Sequence, residues 1–277
     1  MTPPIQPIFR TGRVVATGLA RTTGAALLLT ACLSGPTGGP EGRWIDLTHP
    51  FDAHTIFWPT EEGFVLERGA GGLTADGYYY EAHRFRSAEH GGTHIDAPIH
   101  FGAGRWTVDR IPLSRLHGPA VTVDVSLACD ADRDYRVGIE DLREWEAMHG
   151  RLPTEAIVLL RTGFGRFWPD RIRYMGTDER GAVAIPKLHF PGLHPEAARW
   201  LVEERQIAAV GLDTPSIDYG QSRTFETHRI LAAANVPAFE NLANLTALPA
   251  RGFAVVALPM KIRGGSGAPL RIVAIVP

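Results

Sequence analysis

A chain of 277 residues, 44% hydrophobic and 21% charged, has the composition of an ordinary globular protein, long enough for one cored domain plus a short appendage. A net charge of -2, with no Lys/Arg run, excludes the basic surface that phosphate backbones need, so nucleic acid is not an expected partner. Two cysteines, Cys32 and Cys129, exclude a disulfide framework and a CxxC zinc knuckle, which leaves histidine and carboxylate as the ligands for any metal.

At the N-terminus, Arg10, Arg13 and Arg21 precede an apolar stretch over residues 24–31, and no acidic residue occurs before Glu41. That is the pattern of a secretory signal, shorter than the about 20 residues of a bilayer span. Leu29-Thr30-Ala31-Cys32 resembles a bacterial lipobox, whose cysteine is lipidated and becomes the mature N-terminus. The Gly- and Pro-rich residues that follow read as a flexible tether. The expected organisation is a signal peptide over 1–31, a lipidated tether over 32–43 and one α/β domain over 44–277. The expected location is exported and membrane-anchored through Cys32, in the periplasm or at the cell surface. If the leader is a misassigned start, the protein is cytoplasmic.

From Trp44 onward, short β-branched runs alternate with helical patterns, which is the signature of a single α/β domain. Strands are expected over 44–47, 120–125, 156–161, 207–212, 253–258 and 270–276, each bounded by Gly, Pro or polar residues. Helices are expected over 139–148, where Ile139, Leu142, Trp145 and Met148 share a face, over 194–204, opened by Pro195 and Glu196, and over 227–234. Tyr78, Tyr79 and Tyr80 are expected in a strand with at least one ring exposed. Residues 163–192 are aromatic and irregular and read either as a lid or as a surface insertion packed on its own rings. Gly264-Gly265-Ser266-Gly267 reads as a hairpin-like turn. Phe57, Trp58, Phe101 and Trp106 could wall an apolar pocket for a planar substrate or belong to ordinary core packing.

The run from His90 to His100 carries the chemistry. His90, His94, Asp96 and His100 all occupy even positions, so in an extended segment they share one face, with apolar Ile95, Ala97, Ile99 and Phe101 opposite. Pro98 argues against a helix. His90, His94 and Asp96 make a three-ligand set for a borderline divalent ion with a position left for water. Such an ion lowers the pKa of its water from 15.7 to about 7, supplying hydroxide at neutral pH. His100, on the same face, is suited to shuttle a proton.

His90-x-Gly92-Thr93-His94-x-Asp96-x-Pro98-x-His100 resembles the signature of the cyclase-like metal hydrolases, which include bacterial kynurenine formamidases and isatin hydrolases. The likeness continues through Trp58-Pro59, Phe190 to Leu193, Gly211 to Asp218, Glu240-Asn241-Leu242 and the 259–271 tail. It implies a single-domain swivelling β/α/β fold, with mixed sheets flanked by helices. It also implies Zn or Mn as cofactor, with one or two ions per chain: Asp96 bridges in the binuclear members, and His228 and Glu240 hold the second ion. The implied reaction is hydrolysis of an aryl formamide, with hydroxide attacking the amide carbonyl and His100 as the shuttle. The alternatives are a cyclic amidase of the isatin hydrolase kind and an inactive metal-binding surface lipoprotein. Relatives of this kind imply a homodimer or homotetramer acting on a small amide. The family's Gly-Asp after Trp-Pro is Thr60-Glu61 here.

Overall fold

A computed structural model describes residues 42–277; the expected signal peptide, Cys32 and nearly all of the tether lie outside the described residues. Twelve strands form in chain order: β1 Arg43–Asp46, β2 Val65–Leu73, β3 Tyr79–Arg86, β4 His94–Asp96, β5 His117–Asp124, β6 Arg136–Val137, β7 Ile157–Arg161, β8 Gly192–Leu193, β9 Ala209–Leu212, β10 Ala238–Glu240, β11 Phe253–Pro259 and β12 Gly267–Val276. The helices are α1 Ser126–Ala131, α2 Ile139–His149, α3 Arg171–Met175, α4 Pro195–Glu203 and α5 Glu226–Ala233.

The main sheet runs β1-β12-β11-β5-β7-β9-β10-β4, and β4 pairs again with β12, so the sheet closes on itself. From β5 through β7 and β9 to β10 the strands are parallel, while the pairings of β4, β11, β12 and β1 are antiparallel. Closure from β12 round to β4 leaves the short β1 as an edge strand and creates two apolar surfaces, inside and outside the ring. In β7, Ile157 and Leu159 point to the inner core with Phe239, Val255, Leu270 and Ile272, whereas Val158 and Leu160 face the helices. Alternate residues burying on both sides explain why these strands read as unbroken apolar runs. The result is the mixed sheet flanked by helices that the sequence leads one to expect.

Helix α2 buries Leu142 and Trp145 against the outer face, and Asp141 caps its start by accepting from the Gly138 N–H at 2.7 Å. Helix α4 begins at Pro195, as expected. The expected strand over 207–212 starts at Ala209, the strand over 270–276 begins earlier at Gly267, and β1 begins at Arg43, one residue inside the expected tether. Residues 163–192 form neither a free lid nor a surface insertion packed only on itself. Phe164, Tyr174 and Phe190 are buried in the outer core, and Trp168 stacks on His49 with centroids 4.3 Å apart.

Strands β2 and β3 form a separate two-stranded ribbon outside the main sheet. Tyr78, Tyr79 and Tyr80 are all exposed rather than alternately buried, because neither face of the ribbon is covered.

Candidate functional site

Strand β4 brings His94 and Asp96 to the seam where the sheet closes. In the β10–β4 pairing Glu240 stands opposite His94, and in the β12–β4 pairing Gly267 stands opposite Asp96. Three remote segments therefore meet at one point through backbone register. Within the motif, extended structure is limited to His94–Asp96; Gly92 turns the chain with φ 57°, and Pro98–His100 is a short 3-10 turn. The shared even-numbered face thus applies to His94 and Asp96, while His90 and His100 arrive through turns. Ile95 and Ala97 are buried as expected, but Phe101 swings to the site side, its ring 4.4 Å from that of His228.

The side chains converge on Asp96. His90 Nδ1 lies 2.7 Å from Asp96 Oδ1, His94 Nε2 lies 3.3 Å from the same oxygen, and His228 Nε2 lies 3.1 Å from Asp96 Oδ2. Glu240 closes the ring, with its two oxygens 3.4 Å from His94 Nε2 and 3.4 Å from His228 Nε2. His100 stacks on His90 with centroids 3.7 Å apart.

His94 Nδ1 donates to Gly92 O at 3.0 Å, and His228 Nδ1 meets Asp218 Oδ2 at 2.6 Å. Each ring thus commits one nitrogen outward and turns the other toward the carboxylates, the second-sphere arrangement typical of metal-ligating histidines. Asp218 also accepts from the His228 and Thr227 N–H groups at 3.1 and 3.3 Å, so it caps α5 as it aims the imidazole. Asp96 Oδ2 has no well-aligned hydrogen bond among the described residues despite the nearby His228 nitrogen. A divalent cation between these groups would satisfy that oxygen in place of the proton that His228 otherwise holds toward Asp96. Ligand bonds of about 2.1 Å would place donor atoms around one ion about 3.0 to 3.4 Å apart, the spacing of the His94 and His228 contacts, while His90 and Asp96, at 2.7 Å, stand closer.

Two groups of donors are close enough to hold an ion: His90, Asp96 and His100, and His94, Asp96 and Glu240. Asp96 belongs to both. His94 groups with Glu240, however, whereas the sequence reading joined it with His90.

The buried charges compensate one another. Burial alone would raise Asp96, but the charge on His90 and hydrogen bonds from His228, His90 and His94 hold its carboxyl well below the usual range. Burial and the neighbouring Asp96 charge raise Glu240. Burial would lower His228, yet its hydrogen bonds to Asp218, Asp96 and Glu240 carry it well above the usual imidazole value. Burial, reinforced by the surrounding imidazoles, pushes His100 down to about 4 against the pull of Asp96, so it is a neutral base near pH 7.

These groups form the floor of a cavity of about 460 Å³ walled by Ile56, Phe57, Trp58, Phe101 and Phe225. Trp58 is wedged between Phe190 and Phe225, with centroids 6.4 and 6.3 Å away. Trp106 is not on the cavity wall; it packs against the inner core, and its backbone N–H donates to Asn235 Oδ1 at 3.2 Å. The sequence reading also passed over Phe225, Asp218, Glu89 and Ser266. Asp218 lay within the family-like stretch after Gly211, but nothing near it in sequence showed which histidine it would meet.

A putative cyclase family description matches residues 45–219. The chain belongs to the cyclase family. It is 32% identical over 211 residues to an isatin hydrolase of Roseibium aggregatum, covering 73% of this chain and 78% of the relative. A kynurenine formamidase of Salinibacter ruber is 28% identical over 233 residues, covering 83% and 95%. Among solved structures, isatin hydrolase A from Labrenzia aggregata, bound to benzyl benzoate, matches with TM-score 0.76 and 34% identity, covering 84% of this chain and 93% of that one. A predicted metal-dependent hydrolase from Bacillus stearothermophilus matches with TM-score 0.61 and 26% identity, covering 84% and 98%. The cyclase-family fold and the metal-hydrolase donor set therefore coincide in this chain.

Proposed function

We propose that this cyclase-family member is a metal-dependent hydrolase of the C–N bond in a small, flat aryl amide, the arylformamidase type of reaction. The observation that carries the reading is the convergence of imidazole nitrogens of His90, His94 and His228 on Asp96 and Glu240 at the floor of an aromatic cavity. A divalent ion such as Zn or Mn, bound as one or two per chain, would polarise the amide carbonyl and acidify a water. Phe57, Trp58 and Phe101 clamp the ring and exclude bulk water. His100, neutral and open to the cavity, takes a proton and delivers it to the departing nitrogen.

A second reading, a cyclic amidase of the isatin hydrolase kind, draws support from the cavity's charge. Among the described residues, the lining carries Glu61 and Glu89 in addition to the ligand set and no Lys or Arg. A free substrate carboxylate, as in N-formylkynurenine, finds no cationic partner there. A neutral lactam does not require one.

Assay of the Zn- or Mn-loaded protein against isatin, formanilide and N-formylkynurenine tests both readings. Turnover of the neutral substrates is expected, and His100→Ala should lower it by roughly 10²- to 10⁴-fold with metal content unchanged. Loss of metal in that variant would make His100 a ligand instead. Bound metal with no hydrolysis of any amide would favour the binding lipoprotein. The export leader and the lipid anchor on Cys32 form part of the same proposal, supported by residues 1–32. The proposed homodimer or homotetramer is supported by the uncovered β2–β3 ribbon.

A further inference from the structure

Asn241 directly follows Glu240 and lines the same cavity, 2% exposed and held in the left-handed region at φ 55°. Asparagine tolerates that backbone better than most side chains, and residues held there gather at functional sites. Its main chain is fully engaged: the N–H donates to Thr214 O at 2.9 Å, and the carbonyl accepts from Thr93 Oγ1 at 2.7 Å. The side-chain Oδ1 accepts from the Tyr174 hydroxyl at 3.0 Å. Only Nδ2 is left, and its two hydrogens have no hydrogen-bond partner among the described residues. A buried amide normally has its hydrogens paired, and the open direction at Asn241 is the cavity.

Tyr174 sets which end of the amide faces that cavity. Its side chain is fully buried, and its hydroxyl carries one hydrogen for two acceptors, Asn241 Oδ1 and, at the longer distance of 3.2 Å, Asp213 O. The charge of the cavity wall favours the same orientation. Among the described residues that wall carries Glu61 and Glu89 beside the candidate ligands and no Lys or Arg, and an amide dipole turns its N–H end toward negative charge.

We propose that Asn241 is a catalytic residue whose Nδ2 donates to the carbonyl oxygen of the substrate amide, with Tyr174 as the positioning residue that aims it. The inference rests on the amidase reading of the cavity. As the attacking oxygen bonds to the carbonyl carbon, the C=O π pair moves onto the carbonyl oxygen. A donor already fixed at that oxygen stabilises the charge without having to reorganise. Asn235, Asn241 and Asn244 are the asparagines of the chain, so ¹⁵N-asparagine labelling gives side-chain amide signals that Asn241→Asp assigns by the pair it lacks. Acetophenone, an aryl ketone with no bond to hydrolyse, should shift the Asn241 pair in the Zn-loaded protein. The pairs of Asn235 and of Asn244, whose Nδ2 already donates to Asp46 O at 2.8 Å, should stay in place. Asn241→Asp keeps the acceptor for Tyr174 and loses the donor, while Asn241→Gly tolerates the backbone and removes the amide. Both should lower kcat/KM for formanilide about 10²- to 10³-fold, through kcat, with Zn content unchanged in Asn241→Gly. Tyr174→Phe, which keeps the ring, should lower it by a smaller factor. An unmoved Asn241 pair at saturating ketone, or an unchanged kcat/KM in both Asn241 variants, would overturn the proposal. If Asn241→Gly does not fold, Asn241→Asp decides. If no amide is turned over, the amidase reading fails by itself, and the ketone shift still decides whether Asn241 presents a donor.

Discussion

His49 shows how a single buried side chain ties this fold to pH. It stacks on Trp168, its Nε2 has no hydrogen-bond partner among the described residues, and burial lowers its pKa to about 4 against the pull of Asp46. The folded state therefore prefers the neutral ring, while the unfolded chain titrates near 6.5. The stabilisation is complete above that unfolded value and declines as pH falls from 6.5 toward about 4. Urea midpoints measured at pH 7.5, 5.5 and 4.5 should fall accordingly, and His49→Gln should flatten the fall; an equal slope in both proteins would remove His49 as its cause. At this scale the ligand candidates in His90–His100 were legible because one short run holds four of them. Ser266 was not, because it meets His90 only after distant segments fold together, and Asp218, ten residues before His228, was not because the turn into α5 that joins them carries no pattern of its own.

Among the elements, the long apolar strands and the amphipathic helices could be read because burial on both faces, or along one stripe, imposes a pattern over many residues. Strand β10, three residues long, is too short to carry such a pattern, yet it places Glu240 opposite His94. The ribbon strand β2 is obscured by Gly69, Gly71 and Gly72. An isolated two-stranded ribbon is marginal in water, and this one exposes Leu66, Leu73, Tyr79, Tyr80 and Phe85. Its base is anchored by Phe64, stacked on Phe85 at 5.8 Å and packed on Phe51, which in turn meets the cavity residue Phe57. A second copy seated on the ribbon would take these five side chains out of water. Light scattering after size exclusion should give a dimer or tetramer for the parent, and a shift toward monomer in the double variant Tyr80→Lys, Phe85→Lys. An unchanged mass would place the interface elsewhere.

For the molecule as a whole, the closed sheet could not be read from the strands singly, since closure depends on β4 pairing with both β10 and β12. The resemblance supplied the family and fold, and the closed sheet explains why candidate ligands from positions 90 to 240 share one floor. Residues 1–41 fall outside the described residues, and their proposed role is to fix where the catalytic domain works. Acylation at Cys32 would hold a folded domain at a membrane face through a Gly/Pro tether while leaving the cavity untouched. A single acyl chain binds membranes only marginally, so durable anchoring depends on more than one chain at that cysteine. The full chain, expressed in bacteria fed labelled palmitate, should take up label and sediment with membranes. Cys32→Ser should lose both properties while keeping the same activity per folded molecule. A soluble, unlabelled parent protein with its leader intact would instead assign the enzyme to the cytoplasm, where neutral lactams or aryl formamides would have to arise inside the cell.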